Sequence, residues 1–405
     1  MNFDSILNNN DKLLMGIYEY GFEELSHIQE KVLPDLINNK DLLIQSASGT
    51  GKSSVFCIGA IAKLDLNMKI PQIIIISNTK ELAQQIQYVI MTIGKYLPIK
   101  SSLCIGGDSS NTMINIIPTD LMKQPYIKTN ICNSVFLNLT EAISSHILIG
   151  TPGRLYDLMT RNKLIYEKLK IIILDEADIL LEDNFFDIIY KIISKLPQNI
   201  QTCLFSATYP KNIDEIIGEG LLNKPSKHLI KNDELSVKLI KNYYVDVNTN
   251  NKLDILFDLY KNLSICQSII FVNTIDTIYK IVDYIKEINI SMSYVCIHSH
   301  MSDIERCKAL LEFRNGEVRM IIATDIIARG IDIQKVGVII NYEIPMKPDI
   351  YMHRIGRSGR YGKRGVAINF IDKYDYTKFD NILTTYKIEC NKLANLQNIM
   401  YYLSG

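Results

Sequence analysis

The sequence carries no net charge: Lys and Arg number 44, and so do Asp and Glu. That excludes a permanently basic chain whose hold on nucleic acid rests on bulk phosphate neutralisation, and leaves room for local or switchable binding. Paired cysteines are missing too. The eight cysteines (57, 104, 132, 203, 266, 296, 307 and 390) are scattered, with no Cys-x-x-Cys pair and no His at zinc spacing. They read as buried free thiols in a reducing compartment, not as a disulfide framework or a metal cage. Residues 1–5 carry neither a basic region nor an apolar core, so no secretory signal is expected. No uninterrupted apolar run approaches the ~20 residues that span a bilayer. The expectation is a soluble intracellular protein, cytoplasmic or nuclear, with no membrane partner.

What is present is enough chain for two cores. At 405 residues, 47% hydrophobic and 22% charged, the sequence suits two globular domains. Residues 12–20 and 26–38 have the spacing of short amphipathic helices, with Ser26 as a cap for the second. Then short runs rich in Ile and Val, at 41–45, 73–77, 101–105, 146–149, 170–174 and 202–205, alternate with helical patterns. That alternation predicts a parallel sheet built from βαβ units. It resumes at 243–247, 268–272, 293–297, 319–323 and 337–341, and the last ~30 residues read as a closing helix or two. The polar, proline-punctuated stretch around 223–237 suits a flexible linker. The expected division is a first α/β domain over 1–226, a linker over 227–237 and a second α/β domain over 238–405. Residues 109–145 break the rhythm and read as a surface insertion, with a partner-binding element as the alternative.

The stretch from Ser46 to Ser53 organises the first domain. It lies between an expected strand and an expected helix over 54–63. Gly49 and Gly51 let backbone N–H groups approach phosphate oxygens, with Ser48 and Thr50 in the same loop. Lys52 supplies charge to the outer phosphates, Ser53 a hydroxyl for Mg²⁺, and the helix N-terminus its dipole. Ser46 stands where the usual pattern opens with Gly. The second half has no equivalent loop.

Residues 170–174 run straight into Asp175, Glu176, Ala177 and Asp178. A buried strand that delivers carboxylates at its C-terminal end places them where an α/β sheet does ligand chemistry. A nucleotidase needs one carboxylate to hold the water shell of Mg²⁺ and another to orient the attacking water. Asp175 fits the first role and Glu176 the second. In the second domain, His353, Arg354, Arg357 and Arg360 lie on a short Gly-punctuated segment, a poor core element and a good phosphate clamp.

With Ser206, Ala207 and Thr208, the acidic tetrad resembles the DEAD-box RNA helicases, and the likeness runs from Phe3 to about Asp372. The resemblance implies two tandem RecA-like parallel-sheet domains, ATP and Mg²⁺ as cofactors, and a monomer. The implied function is an RNA-stimulated ATPase that closes on single-stranded or locally duplex RNA, with protein regulators of that closure. It further implies that Phe22 lies against adenine and Gln29 reads it, that Ser206 and Thr208 bond Asp178, and that Arg357 and Arg360 act as fingers on the γ-phosphate beside His353. Gly330 and Asp332 would face the nucleotide, and Tyr361 would lie beside adenine.

RNA phosphates would meet Thr79, Lys80, Gly106, Gly107, Thr151, Pro152, Gly153, Arg154, Arg306 and Thr324, without reading base edges. Departures from the family pattern include Asn78 for Pro, Lys80 for Arg, Ser299 for Gly and Asp303 for Gln, and an acid there repels phosphate. Within the family, segments 16–22 and 359–369 are similar to the translation-initiation subgroup, and 206–210 to the mRNA-export subgroup. An ATP-gated RNA clamp with little unwinding, and a DNA helicase or nucleoprotein translocase, are the competing functions. The literal tetrad and Gln29 argue against the last.

Overall fold

The computed structural model describes residues 2–7, 10–46, 50–106, 144–161, 164, 166–181, 183–208, 222–229, 240–248, 251–262, 267–288, 292–327, 336–358 and 365–393. The chain forms two compact units, Met1–Lys231 and Asn232–Gly405. The expected insertion at 109–145 lies almost wholly outside the described residues.

The first unit is built on seven strands: β1 Leu42–Gln45, β2 Ile73–Ile76, β3 Ser101–Cys104, β4 Ile147–Gly150, β5 Ile171–Asp175, β6 Gln201–Ser206 and β7 Ser226–Leu229. Their order is β3-β4-β2-β5-β6-β1-β7, and each pairing is parallel. The uninterrupted apolar runs follow from burial on both faces. Ile73 and Ile75 join one core cluster with Ile171, Ile173, Cys203 and Phe205, while Ile74 joins the other with Ile172, Leu174 and Leu204. Helix Asp11–Glu19 crosses the end of helix Lys80–Ile93 so closely that a Cβ on Gly16 would lie 1.8 Å from the Ile93 carbonyl oxygen.

The second unit repeats the plan with β8 Ile240–Asp246, β9 Ser268–Phe271, β10 Tyr294–Ile297, β11 Met320–Ala323, β12 Val338–Asn341, β13 Gly365–Ile371 and β14 Cys390–Lys392. The order is β10-β11-β9-β12-β13-β8-β14, again parallel throughout. Two parallel α/β sheets, one per unit, are the tandem RecA-like architecture expected.

Three strands were not expected. β7 occupies the start of the stretch read as linker, and is corrected to the first sheet, where Leu42 to Gln45 pair with Ser226 to Leu229. Its residues alternate between half-buried and exposed, the pattern of a polar edge strand. β13 is fully buried, and β14 is a three-residue edge strand inside the region read as purely helical. The helix in that region is Tyr376–Tyr386.

Candidate active site

Parallel strands present all their C-terminal ends at one edge, so the segments singled out directly after strands of the first unit collect there. Gln45 pairs with Ser206, and Asp175 with Phe205. The loop after β1, the carboxylates ending β5 and the Ser-Ala-Thr segment ending β6 are therefore neighbours by register. Thr79 and Lys80 follow β2, Gly106 follows β3, and Thr151 to Arg154 follow β4.

Gly51 has φ of 95°, the left-handed turn that lets the chain enter helix Lys52–Ala62. The Lys52 ammonium donates to the Ser46 carbonyl. The Ser46 hydroxyl pairs with that of Thr50 at 2.7 Å, and its N–H donates to the Ser206 carbonyl at 3.0 Å. Ser53 occupies the first turn of the same helix. Ser48 and Gly49 lie outside the described residues.

Asp175 is 3% exposed. Burial pushes its carboxyl up to about 7, reinforced by the neighbouring Glu176 carboxylate and opposed by Lys52. Glu176 sits in the left-handed region, φ 53° and ψ 51°, and donates its own N–H to Asp175 Oδ1 at 3.0 Å. This sharp turn starts helix Ala177–Leu180 and separates the two adjacent carboxylates. One turn on, Asp178 Oδ2 accepts from Thr208 Oγ1 at 2.6 Å and from Thr208 N at 3.3 Å. Ser206 donates its hydroxyl to the Thr208 carbonyl at 2.6 Å, so Thr208 bonds the carboxylate and Ser206 shapes the turn.

Ser26 and Gln29 form a capping box on helix His27–Ile37. Gln29 Oε1 accepts from Ser26 N at 2.7 Å, and Gln29 Nε2 donates to Ser54 Oγ at 3.0 Å. Phe22 packs on Tyr20 with ring centroids 5.0 Å apart.

On the RNA-assigned side, the Thr79 hydroxyl caps helix Lys80–Ile93 by accepting from Leu82 N at 3.2 Å. Gly106 and Gly153 have open space where a Cβ would be. Pro152 is the first residue of helix Pro152–Thr160, and Arg154 Nη1 is held by Asp157 Oδ2 at 2.9 Å. Gly107 lies outside the described residues.

In the second unit, Arg354 overturns the reading of its segment as unfit for a core. Its side chain is 0% exposed. Nε donates to Asp325 Oδ1 at 2.5 Å, Nη1 to the Glu343 carbonyl at 2.7 Å, and Nη2 to Asn273 Oδ1 at 2.8 Å. The guanidinium also lies over the Phe271 ring, 5.2 Å from its centroid. A planar cation with five donors can be buried only when acceptors converge on it, and here the segments after β9, β11 and β12 supply them. Arg357 is buried as well, 3% exposed, with Nε donating to the His353 carbonyl at 3.2 Å. Thr324, directly after β11, donates its N–H to Ile297 O at 3.2 Å, and Arg306 lies on helix Asp303–Arg314. Gly330, Asp332, Arg360 and Tyr361 lie outside the described residues, as does the Asp303 side chain.

Two family models match the chain: DEAD/DEAH box helicase over residues 26–216, and Helicase conserved C-terminal domain over 251–362. The chain belongs to the DEAD-box RNA helicases. Eukaryotic initiation factor 4A of Zea mays is 38% identical over 400 residues, 98% of this chain and 91% of the relative. The ATP-dependent RNA helicase eIF4A of Yarrowia lipolytica is 36% identical over 395 residues, covering 96% and 93%. Among solved structures, S. cerevisiae Dbp5 bound to RNA and ADP BeF3 has a TM-score of 0.84 and 29% identity, covering 100% of this chain and 98% of that one. A variant of the same protein bound to a variant of Gle1 and IP6 gives a TM-score of 0.77 at 30% identity, covering 100% and 97%. As a DEAD-box helicase the chain is an ATP-dependent enzyme of RNA. Among its described residues no helix is long and apolar enough to cross a membrane.

Sequence reasoning missed Ser54, which joins Gln29 to the phosphate loop, and the acceptors around Arg354. A serine beside Ser53 carries no spacing signal, and Asn273 and Glu343 are far from Arg354 in the chain.

Proposed function

We propose that this helicase hydrolyses ATP as it closes its two domains on single-stranded RNA, separating short duplexes or remodelling RNA–protein complexes locally. The observation that carries the reading is the buried Asp175 carboxyl next to Glu176 and under the influence of Lys52, with Asp178 bonded to Thr208 one turn further on. Lys52 leaves the Ser46 carbonyl for the β- and γ-phosphates, while the loop amides from Ser48 to Gly51 wrap the phosphate chain. The oxygen-only donors Asp175 and Ser53 fit Mg²⁺, and a dication offsets the cost of ionising a carboxyl that burial holds at about 7. Bound Mg²⁺ supplies charge neutralisation on the phosphates. Glu176 orients the attacking water and takes its proton. Phe22 covers adenine and Gln29 reads it.

The second domain, from about residue 238, contributes Arg357 and Arg360 to the γ-phosphate and Gly330 and Asp332 to the nucleotide. Thr79, Lys80, Gly106, Gly107, Thr151, Pro152, Gly153, Arg154, Arg306 and Thr324 hold RNA phosphates without base preference. The Asp178–Thr208 contact, with His353, couples nucleotide state to RNA grip. ATP and RNA each favour the closed state, so each raises the other's affinity. The chain works as a monomer, and the Gle1-bound relative supports protein regulators of closure.

The deciding experiment is ATP hydrolysis with and without single-stranded RNA, alongside Glu176→Gln and Arg357→Ala. RNA stimulation that is absent with single-stranded DNA and lost in both variants is the expected result. Hydrolysis indifferent to RNA, or to loss of Arg357, overturns domain closure. RNA-stimulated hydrolysis without strand separation on a short duplex identifies a clamp instead.

A further inference from the structure

Gln29 can read a base only if its amide is held one way round. A side-chain amide has two donors and two lone pairs, and exchanging its ends exchanges donor for acceptor. Adenine presents an N7 acceptor beside an N6 donor, whereas guanine presents two acceptors, N7 and O6. A fixed donor–acceptor order against a fixed base position therefore discriminates the two. An amide free to turn over loses part of that discrimination.

The structure fixes the order from both ends. Ser26 N can only donate, so the amide end facing it at 2.7 Å is Oε1. At the other end, Nε2 lies 3.0 Å from Ser54 Oγ. A hydroxyl alone would not choose, because it can donate or accept. Here its proton is committed: Ser54 Oγ donates to the Gly51 carbonyl at 2.7 Å. The hydroxyl can then offer only a lone pair to Gln29, which demands the NH₂ end. Turning the amide over would set NH₂ against an N–H and oxygen against a lone pair. Gln29 and Ser54 are 2% and 6% exposed, so water is a poor substitute for either bond. One N–H and one lone pair of Gln29 remain for the base.

We infer that Ser54 is a positioning residue for nucleobase selection, setting the polarity of the Gln29 amide and tying it to the phosphate-loop turn at Gly51. The inference rests on the proposed reading of adenine by Gln29. Gly51 is the residue from which helix Lys52–Ala62 departs. The relay Ser26–Gln29–Ser54–Gly51 thus makes base recognition and phosphate-loop geometry one hydrogen-bonded unit. Substituting Ser54 by Ala removes both an acceptor for Gln29 and a donor for Gly51.

The test measures kcat and KM for ATP and for GTP with saturating single-stranded RNA, in the full chain and in Ser54→Ala, Ser54→Thr and Gln29→Ala. Ser54→Ala is expected to raise the KM for ATP about three- to tenfold, from the loss of one or two buried neutral hydrogen bonds. The ATP-over-GTP ratio of kcat/KM falls by a similar factor. Ser54→Thr, which keeps the hydroxyl, restores the ratio. A purely structural serine would lower both activities together and leave the ratio unchanged. If Gln29→Ala loses discrimination while Ser54→Ala keeps it, the Ser54 inference is overturned and base reading by Gln29 stands. If Gln29→Ala itself keeps the discrimination, the reading of adenine by Gln29 falls first. Thermal unfolding of each variant separates a failed fold from a failed relay, and Ser54→Thr decides the matter if Ser54→Ala does not fold.

Discussion

The fully buried guanidinium of Arg354 donates through Nε to Asp325 Oδ1 at 2.5 Å, joining the turn after β11 to the helix Pro348–Ile355. With Asn273, Asn341 and the Glu343 carbonyl on its other nitrogens, it ties together the C-terminal ends of three strands of one sheet, β9, β11 and β12. Truncating one partner of such a set leaves uncompensated polar groups inside. Arg354→Ala is expected to destabilise the second unit by about 3–5 kcal/mol, seen as an early transition in urea unfolding. Asp325→Asn should cost less, because that carboxylate keeps a third of its exposure and the amide oxygen can still accept.

Glu176 lies at the left-handed turn beside Asp175 and is partly buried. Glu176→Gln keeps its size and hydrogen-bonding reach but cannot take a proton. Hydrolysis is expected to fall by about 10²-fold or more, with ATP affinity little changed. Single-turnover kinetics alongside equilibrium nucleotide binding separates the two.

Thr208 gives Asp178 two hydrogen bonds, one from its hydroxyl and one from its N–H. Thr208→Val removes the first and keeps the shape. A hydrogen bond to a charged group contributes about 1.5–3 kcal/mol, so the enhancement of RNA affinity by bound nucleotide should drop about tenfold or more. RNA binding by fluorescence anisotropy, with and without a non-hydrolysable ATP analogue, measures that enhancement.

Asp35 ties the edge strand β7 to helix His27–Ile37. Partial burial raises its carboxyl, but the donors Lys40, Ser226 and His228 outweigh that and lower it to about 2. Its oxygens accept from Lys40 and Ser226 at 2.7 Å each and lie 2.9 Å from His228 Nε2. A folded-state value below the unfolded one means that the stabilisation is complete above about pH 4 and is lost as pH falls toward 2. In acid titrations followed by circular dichroism, Asp35→Asn should unfold more readily near neutral pH and converge with the parent chain near pH 2.

Gly16 stands against the Ile93 carbonyl with no room for a methyl group. Gly16→Ala is expected to destabilise the first unit by about 1–3 kcal/mol through forced separation of the two helices, measured by thermal unfolding.

The sequence made the first sheet legible where strands are buried on both faces. β2 is four isoleucines and β5 three isoleucines and a leucine before its Asp, and such runs have one comfortable environment. The positions of Asp175 to Asp178 after β5 and of Gly51 to Ser53 at the start of helix Lys52–Ala62 could be read because each sits directly beside a strand or helix that the local sequence marks. β7 was not: Ser226, Lys227 and His228 look like linker until β1 offers them a partner and Asp35 a fixed anchor. Arg354 and Arg357 look alike in the chain, three residues apart. What makes Arg354 the centre of a buried network is acceptors from Asn273, Asp325 and Glu343, a tertiary fact. Ser54 was hidden for a similar reason, since its importance lies in the direction of one proton.

The backbone of Glu176 has a consequence for how this sequence can change. A glutamate held at φ 53° occupies a conformation that costs non-glycine residues about 1–2 kcal/mol. Glycine would relax that turn, and the folded chain would gain by it. On the catalytic role proposed for Glu176, the most stable sequence and the most active one differ at this position. A selection for heat resistance alone would drift toward Glu176→Gly, which by that role is expected to yield robust protein without turnover. A selection for turnover would keep a residue that the fold by itself would discard.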